Sequence, residues 1–153
     1  MNDKVILWDW DGTLVDSFPT IHQAYNKTRE AFGLPLWSFA QTKENVARSA
    51  RHVFPEMFGD NAADAEKLFY ASYAALAPHN VVVKQGRTEF LQKSQEAGFK
   101  HLVISNKRGD ILRSECLALG WNGYFDAIVG ADDAPEDKPS AAPVAMAYRQ
   151  AGL

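Results

Sequence analysis

A single cysteine, no long apolar run, no basic tract and no low-complexity segment mark the 153-residue sequence, and each absence excludes a class of protein. One thiol, Cys116, cannot close an internal disulfide or build a thiolate metal site, so a disulfide-framed secreted domain is excluded and a reducing, cytoplasmic setting is expected. At helical spacing beside Leu112 and Leu119, Cys116 reads as core. No apolar run approaches the ~20 residues of a membrane-spanning helix, and the N-terminus lacks a basic region leading into a signal-peptide core. Sixteen Lys and Arg against nineteen Asp and Glu give a formal net charge of -3, with nothing shaped to track a phosphate backbone, so nucleic acid is not an expected partner. Nor is there a G-x-x-x-x-G-K-S/T loop, which argues against a P-loop nucleotidase or kinase.

What is present is the composition of an ordinary globular protein, 46% hydrophobic and 23% charged, enough to build a core. Val5-Ile6-Leu7-Trp8 is a continuous apolar run of the kind buried on both faces of a parallel sheet. The period then becomes helical. Ile21, Ala24, Tyr25, Thr28 and Phe32 form one stripe before Gly33; Ala65, Leu68, Phe69, Ser72, Tyr73 and Leu76 form another, and the spacing predicts a helix over 44–54 between them. After Pro78 short apolar runs alternate with helical segments: 81–83, then a helix over 88–97; 101–104, then a helix over 111–119; 127–129, then a helix over 143–152. Strands alternating with helices predict an α/β fold, a doubly wound parallel sheet. Residues 1–15 and 81–153 form that α/β part, and 16–80 an all-helical insertion after the first strand.

Three short polar segments carry the candidate chemistry. Asp9 and Asp11 flank Trp10 directly beyond the first strand, where open α/β sheets bind ligands, although Asp-Gly between apolar runs equally signals a β-hairpin. Ser105-Asn106-Lys107 follows a strand and precedes a helix, the position of an anion site and also of an ordinary helix cap. Lys138-Pro139 lies in the loop after the third alternating strand, where a lysine is otherwise a solvated charge. On the insertion, Arg48, Arg51 and His52 fall on one face of the 44–54 helix and could read a substrate carboxylate, with a solvated helix face as the competing explanation.

In this order the segments resemble the haloacid-dehalogenase-like hydrolase superfamily, whose pattern is D-x-D-G-T/V, then S/T, then K-P, then an acidic G-D…D loop. The helical insertion after the first segment is similar to the C1-capped branch. Asp16-Ser17 before Pro19, the Ser-Asn-Lys form of the second segment, and Gly120 to Phe125 leading into Val129-Gly130-Ala131-Asp132-Asp133 look most like its phosphoglycolate-phosphatase-like members. The resemblance implies a Rossmann-like core with an inserted helical cap, and a phosphatase acting on a small phosphorylated metabolite. It makes Asp9 the nucleophile that forms an aspartyl-phosphate, and Asp11 the acid that protonates the leaving oxygen and then activates water. Ser105 bonds a phosphoryl oxygen, with Thr13 and Asn106 as further substrate-binding residues, and Lys138 offsets negative charge. Because two carboxylates face an anionic phosphate, Mg²⁺ is implied as cofactor, held by Asp9 and by Asp11 through its backbone carbonyl. The superfamily's dehalogenase branch replaces the second aspartate, so Asp11 argues for phosphoryl chemistry.

The family pattern continues after the helix ending at Gly152 with a strand and the acidic loop, and the sequence holds neither. Asp132, Asp133 and Asp137 sit in the loop before Lys138 and are not their equivalents. The expectation is a fragment of a working phosphatase, with weak metal binding and little turnover on its own, and with an incomplete sheet edge that invites dimerisation. A phosphosugar mutase of the same fold, or a non-catalytic phosphate- or partner-binding remnant, are the alternatives.

Overall fold

Lys4 to Trp8 form β1, which pairs in parallel with β4 (Phe99–Arg108) from Lys4↔Phe99 to Trp8↔Val103. The computed structural model describes residues 4–153. β4 in turn pairs in parallel with β5 (Ala127–Ala131), giving the sheet order β1-β4-β5. Two residues each make β2 (Val15–Asp16) and β3 (Val82–Val83), a separate two-stranded sheet. The chain divides into two units, Met1–Val15 with Val83–Leu153, and Asp16–Val82.

The first unit is α/β. α5 (Arg87–Glu96) and α6 (Gly109–Ala118) follow β3 and β4, and α7 (Ala142–Gln150) follows β5. Alternation along β4 decides which helix meets which side chains. Leu102 and Ile104 cluster with Ala127, Val129 and Ala147 of α7, with Val5 against them, whereas the side chain of His101, of opposite parity, meets Ser94 of α5. Helices therefore cover both faces, which is the predicted doubly wound α/β sheet.

The second unit is helical: α1 (Phe18–Ala31), α2 (Phe39–Asn45), α3 (Ala50–Phe58), a 3-10 turn (Gly59–Asn61) and α4 (Ala62–Asn80). Its core is aromatic: Tyr25 lies 4.5 Å from Phe69 and 5.7 Å from Phe54, ring centre to ring centre. The single helix predicted over 44–54 is instead the end of α2 and the start of α3. Ser38 and Gln41 form a capping box that starts α2 early, and Ser49 is extended (φ -67, ψ 152), its carbonyl accepting from the His52 and Val53 N–H groups. Serine suits a helix start better than a helix interior, and both serines take that position. Arg48 consequently lies in the connecting turn, where Nη1 and Nη2 donate to Glu56 at 2.7 and 2.6 Å. It lies outside the helix that carries Arg51 and His52, so the three residues do not make the single helix face read from the sequence.

The hairpin reading of Asp-Gly is also overturned, since β1 pairs in parallel and not with the segment that follows it. The Asp11-Gly12 pair makes a tight turn. The Trp10 carbonyl accepts from the N–H groups of Thr13, Leu14 and Val15, and Gly12 takes φ 79, a conformation that costs a residue with a β-carbon far more. β4 runs beyond the predicted 101–104 because its pairing resumes at Arg108↔Ala131 after a register shift.

Candidate active site

Parallel pairing puts the carboxyl ends of β1, β4 and β5 together, and the polar segments emerge there. Between Ile104↔Val129 and Arg108↔Ala131, four residues of β4 advance against two of β5. This bulge contains Ser105-Asn106-Lys107, and a bulge re-aims the side chains it carries. It needs a glycine beneath it: a β-carbon on Gly130 would lie 2.6 Å from the Lys107 carbonyl oxygen and 2.7 Å from the Gly109 nitrogen.

The carboxylates sit in different surroundings. Asp9 has a side chain 48% exposed; its Oδ1 accepts from the Lys138 ammonium at 3.0 Å and from the Trp10 N–H at 2.8 Å. Asp11 is 18% exposed, and Lys107 Nζ donates to its Oδ1 at 2.6 Å. The structure thus gives each carboxylate its own ammonium. Lys138 is positioned through its main chain, since the Asn106 side-chain amide donates to the Lys138 carbonyl at 3.1 Å and accepts from the Lys138 N–H at 2.9 Å. Ser105 is buried, and its hydroxyl accepts from the Lys107 N–H at 3.1 Å, which orders the bulge. Thr13 is held by its backbone: its carbonyl accepts from Arg87 Nε at 2.8 Å, while Lys84 Nζ donates to the Gly12 carbonyl at 3.0 Å. Asp9, Asp11, Ser105, Asn106 and Lys138 are therefore joined by direct contacts or chain adjacency.

From the sequence Lys107 has no role beyond its place in the second segment, and Glu115 has none. Lys107 Nζ also donates to Glu115 Oε2 at 2.8 Å and Oε1 at 3.1 Å, and the buried Trp10 indole N–H donates to Oε2 at 2.8 Å. A signal existed. Glu115 falls three residues after Leu112 and four before Leu119, so a carboxylate lies on the apolar stripe of α6, where it needs a partner. Asp133, by contrast, binds Arg113 and the Gly130 N–H at 2.7 Å each, a brace for the β5 end.

The family model for haloacid dehalogenase-like hydrolases matches residues 6–153. The chain belongs to that family, and its enzyme class is that of a phosphatase hydrolase. A phosphoglycolate phosphatase from Caulobacter vibrioides is 31% identical over 99% of this chain and 68% of its own length. Among solved structures, a predicted phosphoglycolate phosphatase from Haemophilus somnus superposes with a TM-score of 0.87 at 21% identity, over 99% of this chain and 72% of that one. A mutant of CbbY from Rhodobacter sphaeroides, in complex with xylulose-(1,5)bisphosphate, gives 0.83 at 21% identity, over 99% and 74%. These structural likenesses establish the fold. No helix among the described residues is long and apolar enough to cross a membrane.

Proposed function

We propose that the protein hydrolyses the phosphomonoester of a small phosphorylated metabolite, in the manner of the phosphoglycolate phosphatases, through an aspartyl-phosphate on Asp9. The observation that carries this reading is the contrast between the two carboxylates. Asp9 is open to solvent with the Lys138 ammonium on its Oδ1, whereas Asp11 is enclosed and bonded to Lys107. A nucleophile must reach phosphorus, and Asp9 is the accessible one. Its carboxylate oxygen attacks, the bond from phosphorus to the ester oxygen breaks, and Asp11 delivers a proton to the departing alkoxide. In the second step water attacks the phosphorus, its proton passes to Asp11, and Asp9 is released with inorganic phosphate. Lys138 offsets charge on the reacting groups, and Ser105, Asn106 and Thr13 are assigned the role of orienting the phosphoryl oxygens. The helical unit is read as the cap, residues 16–80.

The donor set bears on the ion implied by the family. Among the described residues no group of three or more His, Cys, Asp or Glu could hold a metal, which leaves Asp9 and Asp11. Oxygen donors from the Asp9 carboxylate and the Asp11 backbone carbonyl, with no histidine or cysteine in the set, fit Mg²⁺, which keeps several waters. Bound there, it would supply positive charge between phosphate and carboxylates. Two coarser readings go with the proposal. Buried, unpaired Cys116 suits a reducing cytoplasm. Among the described residues β1 stands at the edge of the sheet, with Leu7 47% exposed, which suits self-association, as sedimentation measures.

Hydrolysis of an aryl phosphate with and without Mg²⁺ tests the reading. Protein is used in excess, so that slow transfer by these 153 residues is still counted. Wild type is expected to release phosphate only with Mg²⁺, and Asp9→Asn to fall to background. Turnover that survives Asp9→Asn removes Asp9 as the nucleophile.

A further inference from the structure

Lys107 has a side chain only 7% exposed, yet it is charged and meets two carboxylates, Asp11 at 18% and Glu115 at 10% exposure. One carboxylate is enough to neutralise a buried ammonium, so neutralisation alone does not account for the second. The bonding pattern does. Glu115 takes two contacts from Nζ, at 2.8 and 3.1 Å, and is itself held by the indole N–H of Trp10, a ring with no exposed surface. That ring packs edge-on against Trp121 and Phe125 at 5.9 and 6.2 Å. The ammonium is thus held from behind by α6 and the aromatic cluster, and it also donates to Asp11 Oδ1 at 2.6 Å. Lys138 contrasts with it, being 32% exposed and set on the open carboxylate Asp9.

We infer that Lys107, braced by Glu115 and Trp10, is a positioning residue that holds the Asp11 carboxyl in the orientation from which it transfers a proton; this rests on the phosphatase reading above. A general acid works only within hydrogen-bond reach of the oxygen it protonates. Asp11 lies in a tight turn beside Gly12, and the side-chain contact from Lys107 fixes its torsions. Lys107 acts on Asp11, and the phosphoryl group is left to Lys138 and Ser105.

The test separates positioning from folding by varying the leaving group. An alkoxide departing from phosphoglycolate needs a proton, whereas 2,4-dinitrophenolate departing from its phosphate ester does not. Lys107→Met is expected to lower kcat for phosphoglycolate by about 100-fold with KM little changed, and to lower kcat for the dinitrophenyl ester only a few-fold. Asp11→Asn is expected to show the same selectivity. Lys107→Met leaves two half-buried carboxylates without their shared ammonium, so the double variant Lys107→Met with Glu115→Gln, which removes one charge of each sign, is measured beside it and is expected to keep the selective loss. An equal loss for both esters, or wild-type rates in the double variant, overturns the inference while leaving the phosphatase reading intact. If the wild type cleaves neither ester, the phosphatase reading fails and this role fails with it.

Discussion

The two units bury different kinds of side chain. In the helical unit Phe54 is fully buried, with ring centres of Tyr25, Phe58 and Phe69 at 5.7, 5.4 and 5.5 Å. Burial pushes the Tyr25 phenol far above its ordinary pKa, and Arg29 stacks on Trp37 at 4.4 Å while donating to the Pro35 carbonyl. Among the described residues the buried hydroxyls of Thr20, Ser49 and Ser72 have no hydrogen-bond partner there. The α/β unit instead buries polar groups in bonded sets: Trp8 with His101 and Ser94, and Trp10 with Glu115, Lys107 and Asp11. Apolar packing is non-directional and fixes volumes; hydrogen-bonded sets fix the directions of individual atoms. Chemistry that depends on where a carboxylate points is therefore found in the second kind of interior.

The largest effect expected from this contrast is in the helical unit. Phe54→Ala should destabilise it by about 3–5 kcal/mol, because the rings around it cannot close the space left. Urea unfolding followed by near-ultraviolet circular dichroism measures this, and a loss under about 1 kcal/mol would show that the ring cluster is not what holds the unit together. Next is Gly130→Ala. The added carbon meets main-chain atoms of Lys107 and Gly109, which cannot swing aside as a side chain would, so a cost of about 2–3 kcal/mol is expected, this time in the α/β unit. If the same unfolding experiment finds Gly130→Ala as stable as wild type, the bulge does not depend on close backbone approach.

Much of this was legible in the sequence. The apolar run 5–8 and the alternation after Pro78 gave β1, β4, β5 and the helices around them, because buried strands and amphipathic helices leave strong periodic patterns. The segments at Asp9, Ser105 and Lys138 were legible by their place after strands, and the structure does bring them to one end of the sheet. The break between α2 and α3 was not, since a four-residue turn between two short helices mimics one continuous period. Nor was the Lys107–Glu115 brace. The bulge that turns Lys107 inward depends on pairing between residues more than twenty positions apart, and local periodicity does not encode it. The two-residue register shift belongs to β4 and β5 together.

The smallest effect expected is set by pH. His101 is fully buried; Trp8 Nε1 donates to its Nδ1 at 2.9 Å, so the ring proton sits on Nε2, facing the Ser94 hydroxyl at 3.1 Å. Burial lowers its pKa below the ordinary value, and the Asp126 carboxylate, which accepts from the His101 backbone N–H, opposes this only in part. A second proton would have to enter at Nδ1, against the indole N–H already pointing there. The unfolded chain thus binds a proton more readily than the folded one, and the stability this imidazole contributes is fully present above pH ~6.5 and is lost as the pH falls below it. Urea midpoints at pH 7.5 and 5.5 should differ for the wild type by more than for His101→Gln, with the change confined to the sheet-containing unit. A drop of equal size in both proteins would assign the acid sensitivity to other groups, and an equal drop in signals from the helical unit would break the contrast between a polar and an apolar interior.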